Sequence, residues 1–244
     1  MYLVGYVVGY RLALGRIRRG ATALTRKGLD TLLSYLVIGM LIGARLTYVF
    51  VYGGGEYRAH PAQVFAIWRG GLSFHGAVIG MACACAMFAH RYRISVLDVT
   101  DTVALCGAPG LFFGRISNFI NAELYGRPSN VPWAMIFPSD PLHVPRHPSQ
   151  LYEAVAEGVL LALTLWLLDR RETRLHRTRA GLRTGTFLVG YAVLRFLLEF
   201  TREPDAQLGL VLGPLSMGQL LSLLMLLAGG VVLFLSVRST PATD

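Results

Sequence analysis

Six apolar segments, each long enough to cross a membrane as a helix, recur along this 244-residue chain. They cover residues 29–52, 71–90, 98–120, 148–168, 184–201 and 213–237. An α-helix rises about 1.5 Å per residue, so about 20 residues cross a hydrocarbon core about 30 Å thick. Charged residues make up only 15% of the sequence, against roughly 25% in soluble domains. The sequence therefore predicts an all-α membrane protein with six clear spans.

Residues 1–15 form a further apolar segment that is shorter than the others. A helix of that length rises only about 22 Å and does not cross a membrane alone. Either residues that precede this sequence complete the span, or the amino terminus lies inside the membrane. No short apolar region followed by a small-residue cleavage site leads the sequence, so we expect no removable signal peptide. We expect seven transmembrane helices, the first one truncated, in a single domain over residues 1–244.

The basic residues predict how these spans are oriented. They concentrate in residues 16–28, 91–97 and 169–183, the last of which holds six arginines. The positive-inside rule assigns such connections to the cytoplasm, so 169–183 is predicted to be a cytoplasmic basic loop. We therefore expect the amino terminus outside and the carboxyl terminus inside. This pattern accounts for the net charge of +9, and we do not expect nucleic acid as a partner.

Two outward connections carry signs of ordered structure. Residues 53–70 are rich in glycine at first and then amphipathic around Phe65, Ile67 and Trp68, which suits an arm lying in the membrane interface. Residues 124–146 contain five prolines together with aromatic side chains, and we expect a small extracytoplasmic cap there. The three cysteines lack metal-type spacing and no carboxylate cluster suggests a metal, so no cofactor is expected.

The central polar stretch runs from Gly114 to Arg127. It places Arg115, Asn118, Asn121 and Glu123 within nine residues of an apolar helix. Ionisable groups at bilayer depth cost several kcal/mol and usually face a cavity on a substrate or ion path. At about 100° per residue, Arg115, Asn118 and Glu123 share one helical face. These groups therefore indicate a site, with hydrogen bonding between helices as the alternative.

Three further polar clusters lie at the predicted outer ends of other spans. Arg69–Gly76 has two glycines, Gly70 and Gly71, that allow a tight turn before a helix start suited to a phosphate, with His75 one turn inside. His147–Glu153 opens a helix with Pro148 and supplies the polar side chains of Ser149, Gln150 and Glu153, with His147 as a supporting residue. Arg195–Asp205 holds Arg195 and Glu199 at i, i+4, the spacing of a salt bridge. Four such clusters at one membrane level predict a shared cavity.

Together these blocks resemble the phosphatidylglycerol–prolipoprotein diacylglyceryl transferases of bacterial inner membranes. Gly114 to Gly126 is similar to that family's signature. Four other blocks match in order: Gly-Gly-Leu-Ser-Phe-His ending at His75, His147–Glu153, Arg195–Asp205 and Met217–Ser222. Family members carry a Tyr-Gly-Leu segment just before the Met-Tyr-Leu-Val-Gly that begins this sequence, so the resemblance also implies a truncated first span.

The resemblance implies an enzyme that moves the diacylglyceryl group of phosphatidylglycerol onto the lipobox cysteine of a preprolipoprotein signal peptide. It would work as a monomer among membrane lipids of the bacterial inner membrane and release glycerol phosphate. His75, Arg115 and Arg195 would be catalytic, with His75 as base and the arginines on the phosphate. Glu123 and Glu199 would hold those guanidinium groups, and Asn118 would orient the lipid head group. The expected substrate-binding set is Gly71, Ser73, Arg115, Asn118, Asn121, Glu123, Gly126, Ser149, Gln150 and Glu199.

A lipid or anion transporter is the alternative from another functional class, with the arginines as a binding site rather than a reaction centre. That function predicts matching polar residues at both membrane levels. The cytoplasmic ends of the spans show only loop arginines in the sequence, with no matching Asn, Glu and His set. The two halves of the sequence show no matching broken helices of the kind that indicate an alternating-access transporter. The sequence favours the transferase.

Overall fold

The computed structural model describes residues 1–53, 57, 60–176, 178–203, 210–212 and 215–238. Seven long helices follow one another in this described part: α1 Tyr2–Arg18, α2 Arg26–Tyr52, α3 Phe74–Tyr92, α4 Val96–Ile120, α5 Ser149–Arg174, α6 Leu182–Thr201 and α7 Met217–Arg238. Two short antiparallel strands, β1 Leu210–Leu212 and β2 Leu215–Ser216, precede α7. They are the departure from the all-α prediction.

Five of the helices in the described residues, α2, α4, α5, α6 and α7, are long and apolar enough to cross a membrane. α1 has 17 residues. α3 has 19 residues and carries His75, His90 and Arg91 near its ends. The chain is thus a helical protein with several membrane-spanning segments, and a total of seven crossings stays a prediction.

Several helices contain turns of different pitch. α2 ends in a π-helical turn at Tyr48–Tyr52, and α5 contains a π-helical segment at Ala154–Leu160. α6 closes with a 3₁₀ turn at Glu199–Thr201. α5 also runs to Arg174, so the first six residues of the predicted basic loop 169–183 are helical, and Arg177 lies outside the described residues.

The chain divides into two compact units. One comprises Ala23–Val99, and the other comprises Met1–Thr22 with Thr100–Asp244. In the first, α2 and α3 meet through glycines spaced four apart, Gly39 and Gly43 on α2 facing Gly76 and Gly80 on α3. A Cβ on any of them would overlap the backbone of the other helix. This small-residue seam is how membrane helices approach closely without a hydrophobic driving force between them.

The segment between α2 and α3 is anchored by Arg45. Its guanidinium donates to four backbone carbonyls, those of Gln63, Val64, Gly70 and Gly71, at 2.6–2.9 Å. Two 3₁₀ turns, Pro61–Phe65 and Ile67–Arg69, form this segment. Within the predicted arm 53–70, residues 54–56, 58 and 59 lie outside the described residues. Its location in the membrane interface stays a prediction.

In the other unit, α4, α5 and α6 share an apolar core formed by Leu105, Ala108, Leu161 and Leu165, with Phe187 and Tyr191 packed against it. α6 and α7 meet where Gly185 faces Leu233 and Gly229 faces Leu188 and Val189. These contacts hold the helices as one bundle whose two ends carry separate polar networks.

One of these networks lies at the starts of α4 and α6 and the end of α5. Asp169 is fully buried and pairs with Arg19 at 2.6 Å, Arg183 at 3.1 Å and Arg16 at 3.7 Å. Asp101 accepts from the backbone N–H of Gly181 and Thr184 and thereby caps the amino terminus of α6. The sequence predicted only loop arginines at the ends of these spans, but two buried acids lie among them: Asp101, within the apolar run 98–120, and Asp169, directly after the run 148–168.

Candidate active site

The other network surrounds Arg115, in the last turns of α4. Its Nε lies 2.7 Å from Oε2 of Glu153, and its Nη2 lies 3.4 Å from Oε2 of Glu157. Both carboxylates are fully buried, while 18% of the arginine side chain is exposed. No described residue bonds the third nitrogen, Nη1. Arg115 is therefore fixed along one edge and can offer the remaining edge to an anion.

A chain of ion pairs links Arg115 to Arg195. Oε1 of Glu153 lies 2.6 Å from Nη1 of Arg202. Nε of Arg202 lies 3.6 Å from Oε2 of Glu199, and the same oxygen lies 2.7 Å from Nη1 of Arg195. The two predicted catalytic arginines thus occupy the two ends of one network. The expected pairing of Arg195 with Glu199 is present, and Arg202 joins it to α5.

Local backbone features put these carboxylates in place. Glu153 and Glu157 flank the start of the π-helical segment, and such segments occur often at functional sites. Gly158 in that segment packs directly on the backbone of Phe112, where a Cβ would clash. Before α7, Ser216 donates to Oε1 of Glu199 at 2.6 Å, and Gly218 leaves room for that carboxylate. Gly218 is the member of the Met217–Ser222 block that lies against Glu199, because a Cβ there would come within 2.9 Å of the carboxylate.

Among the described residues, no guanidinium group pairs with Glu123, contrary to the prediction. α4 ends at Ile120, so Glu123 lies past the helix rather than on its face. Positive φ values at Ala122 and Leu124 turn the chain. Oε1 of Glu123 instead accepts from the amides of Asn118 at 2.9 Å and Asn121 at 3.2 Å. Glu153 and Glu157 take the place that was assigned to Glu123.

The loop after α4 is held by Ser149, Gln150 and Gly126. The first two are buried and donate to the backbone carbonyls of Leu124 at 3.1 Å and Glu123 at 2.8 Å. Gly126 donates to the carbonyl of His147 at 2.9 Å, and a Cβ there would overlap the carbonyl of Thr201. α5 begins directly after Pro148, which occupies the N-cap position, in agreement with the predicted helix start. Ser149 and Gln150 therefore fix the backbone that presents Asn121 and Glu123.

Residues 124–146 are built around Arg146. Its guanidinium binds both carboxylate oxygens of Asp140, lies 2.9 Å from Oε2 of Glu203 and stacks over the ring of Tyr125 at 4.9 Å. The hydrogen bond from Arg146 holds the pKa of Asp140 below its usual value, with help from the N–H groups of Leu142 and Val144. This segment is thus ordered by charge pairing, and its extracytoplasmic location stays a prediction.

The remaining predicted site residues belong to the unit Ala23–Val99. Ser73 caps α3 by accepting from the N–H of Gly76 at 3.3 Å. Gly70 and Gly71 have φ values of 84° and 76°, which glycine adopts without strain. The side chain of His75 is exposed in the first turn of α3, and its imidazole has no hydrogen-bond partner among the described residues. Arg45, which binds the carbonyl of Gly71, was not singled out from the sequence. An arginine in an apolar span usually has a structural or functional role, so its position could have identified it.

A family model described as "Prolipoprotein diacylglyceryl transferase" matches residues 1–235. The chain belongs to the prolipoprotein diacylglyceryl transferase family. Curated relatives named phosphatidylglycerol–prolipoprotein diacylglyceryl transferase are 46% identical over 96% of this chain in Bordetella bronchiseptica, 45% over 99% in Azospirillum brasilense and 45% over 94% in Geobacter sulfurreducens. The matches cover 88%, 89% and 86% of those relatives.

Membership of the diacylglyceryl transferase family covers both compact units, because the matched residues run through them without a break. Three residues of the ion-pair network around Arg115 were not predicted as catalytic or substrate-binding: Glu157, Arg202 and Glu153, the last of which was named only as a polar residue of the His147–Glu153 cluster. Glu157 lies in the apolar run 148–168, where a lone carboxylate needs a partner, and that signal was available.

Among the described residues, no three His, Cys, Asp or Glu side chains group as metal ligands do.

Proposed function

We propose that this protein transfers the diacylglyceryl group of phosphatidylglycerol to the thiol of the lipobox cysteine of a preprolipoprotein. The observation that carries the proposal is the placement of Arg115 and Arg195 at the two ends of one buried ion-pair chain, in a protein of this family. Each arginine is held by buried carboxylates yet remains 16–18% exposed. Such fixed, partly exposed cations suit a phosphate diester.

The reaction is a displacement at a glycerol carbon. The sulfur of the cysteine thiolate attacks the carbon that bears the phosphate, so a C–S bond forms as the C–O bond breaks. The oxygen leaves with the electron pair as glycerol phosphate, and the thiol proton passes to a base. A free thiol has a pKa near 8.5 and is only a few per cent ionised at neutral pH, so a base raises the rate. We assign His75 to that step.

Arg115 and Arg195 act on the phosphate. As the C–O bond breaks, negative charge grows on the phosphate oxygens, and guanidinium groups that are already oriented stabilise it without reorganisation. Glu153 and Glu157 hold Arg115, and Glu199 holds Arg195. These carboxylates are positioning residues. They also offset the cost of keeping cations in a membrane protein when no lipid is bound.

The remaining predicted residues bind the substrates. Asn118 and Asn121, gathered by Glu123, present amide groups for the hydroxyls of the lipid head group. Gly126, Ser149 and Gln150 keep that loop in place through backbone hydrogen bonds. Gly71 and Ser73 shape the turn that carries His75. We infer that the lipobox peptide enters from the membrane beside the loop that carries Asn121 and Glu123.

We further propose an inner-membrane protein of bacteria with seven crossings, the amino terminus outside, the carboxyl terminus inside, and a monomeric state. Single cysteines at two exposed positions, Leu142→Cys and Leu175→Cys, test the orientation. The native Cys83, Cys85 and Cys106 are replaced first. A thiol reagent that does not cross membranes should label Leu142→Cys from outside and Leu175→Cys only after permeabilisation. The reverse pattern would overturn the orientation.

Purified protein with phosphatidylglycerol and a synthetic lipobox peptide tests the activity. We expect the peptide to gain the mass of one diacylglyceryl group while one glycerol phosphate is released per peptide modified. A peptide with the lipobox cysteine replaced by serine, and vesicles of phosphatidylcholine alone, serve as controls. Loss of lipid phosphate without peptide modification, or modification with either control, would contradict the proposal.

A further inference from the structure

The end of α5 farthest from Glu153 and Glu157 carries three exposed arginines, on the face of the helix that points away from the rest of the bundle. Arg170, Arg171 and Arg174 line an open groove of about 710 Å³ together with Trp166, Leu167 and Leu175. The guanidinium carbon of Arg170 lies 5.2 Å from the centre of the Trp166 ring, a cation–π contact. The spacing is helical: 166, 170 and 174 form one row, and 167, 171 and 175 form the neighbouring row.

The opposite face of the same turns carries the acidic residues. Asp169 is fully buried among Arg16, Arg19 and Arg183, and Glu172 accepts from the backbone N–H of Arg179. In the part of the chain that the structure describes, no carboxylate pairs with Arg170, Arg171 or Arg174. Two acids therefore face inward while three cations face outward without a counter-charge. The exposed face can therefore bind an anion that is not part of the protein.

The position of the three arginines along α5 indicates the depth in the membrane at which that anion binds. α5 is a candidate membrane span, and its exposed side chains change from Leu163, Trp166 and Leu167 to arginines within two turns. Tryptophan is enriched where acyl chains meet head groups, so this change marks the head-group region. Phosphate matches the guanidinium fork, and basic pockets at such positions bind anionic lipids. Leu163 and Leu167 continue the groove along the acyl chains.

We propose that this groove is a second lipid site, which binds the phosphate of an anionic glycerophospholipid between Arg170, Arg171 and Arg174. Trp166 packs against the glycerol backbone of that lipid. From Glu157 to Arg170 is 13 residues, about 20 Å along the helix axis, so this lipid lies in the opposite leaflet from one bound at Arg115. The inference does not depend on the transfer reaction. It requires only that α5 crosses the membrane.

Quenching of Trp166 by brominated lipids tests the site. Trp68→Phe and Trp133→Phe in the full chain leave Trp166 as the single tryptophan. The protein is reconstituted in brominated phosphatidylcholine with increasing brominated phosphatidylglycerol, and in matched vesicles where only one of the two lipids carries bromine. We expect phosphatidylglycerol to associate at Trp166 about tenfold more strongly than phosphatidylcholine, since each arginine near the surface favours anionic lipid.

Two triple variants separate this groove from general surface charge. Arg170→Gln/Arg171→Gln/Arg174→Gln should abolish the preference for phosphatidylglycerol at Trp166, because the planar guanidinium donors are gone. Arg26→Gln/Arg91→Gln/Arg93→Gln removes the same charge elsewhere and should leave the preference at Trp166 unchanged. Equal association of both lipids in the parent protein would overturn the proposal. So would equal loss of preference in the two triple variants, which would indicate surface charge alone.

Discussion

Nε of Arg115 on α4 lies 2.7 Å from Oε2 of Glu153 on α5, and the carboxylate is fully buried. The other oxygen of Glu153 lies 2.6 Å from Nη1 of Arg202. One carboxylate therefore joins α4, α5 and the end of α6. Because Glu153 contacts both arginines, it sets the positions of Arg115 and Arg202. Removing one partner of a buried ion pair leaves an uncompensated charge and costs about 3–5 kcal/mol.

Glu153→Gln should impair transfer more than Glu157→Gln. Glu153 contacts two arginines at 2.6–2.7 Å, whereas Glu157 contacts one at 3.4 Å. We expect at least about a tenfold lower kcat for Glu153→Gln, since misplacing a clamp by about 1 Å can cost up to 100-fold. Steady-state transfer to a lipobox peptide measures both variants side by side. Equal effects of the two substitutions would contradict the assignment of Glu153 as the main support of Arg115.

Asp169→Asn should destabilise the protein without involving the reaction. Asp169 is fully buried against Arg16, Arg19 and Arg183, and the amide leaves these cations without that carboxylate. We expect a loss of about 3–5 kcal/mol. Lys27→Gln, at an exposed position, is the control and should change the free energy of unfolding by less than about 0.5 kcal/mol. Thermal unfolding in detergent compares the two, and similar midpoints would show that the buried network contributes little.

Asp140→Asn should lose stability in a pH-dependent way. The folded-state pKa of Asp140 lies below the usual value of 3.8, because Arg146 and two backbone N–H groups bind the carboxylate. The stabilisation by the ionised form is therefore fully present above pH 3.8 and disappears as the pH falls through the lower folded-state pKa. The difference in unfolding midpoint between parent and variant should be constant from pH 8 to about pH 5 and then shrink on acidification. A difference that grows on acidification would reverse the sign of the assigned shift.

The helix positions could be predicted from the sequence because apolar runs of spanning length have few alternatives in a membrane protein. The predicted run 98–120 corresponds to Val96–Ile120, and 29–52 corresponds to Arg26–Tyr52. The polar stretch that holds Asn118, Asn121 and Glu123 was also predicted from the sequence, and the structure joins these three side chains by hydrogen bonds. The pairing of Arg195 with Glu199 followed from the i, i+4 spacing.

The ion-pair partners across helices could not be read in the same way. Glu123 was paired with the guanidinium groups because helical spacing was continued past Ile120, where the helix ends and the chain turns at Ala122. Glu157 reaches Arg115 from another helix, and its direction depends on a π-helical segment that leaves no clear sequence signal. Pairing of this kind is a property of helix packing rather than of local spacing.

The phosphate role of Arg115 is tested most directly by Arg115→Lys beside Arg115→Ala. A lysine keeps a positive charge, but its single compact ammonium cannot bind Glu153 along one edge and present a second, bidentate edge to a phosphate, as a planar guanidinium does. We expect both variants to lose about 100-fold or more in the rate of glycerol phosphate release from phosphatidylglycerol, the usual cost of removing an oriented donor to a developing oxyanion. Arg91→Lys, at an exposed position in α3, should release glycerol phosphate at the parent rate. A near-normal rate for Arg115→Lys would contradict the account, since charge alone would then be enough at this position.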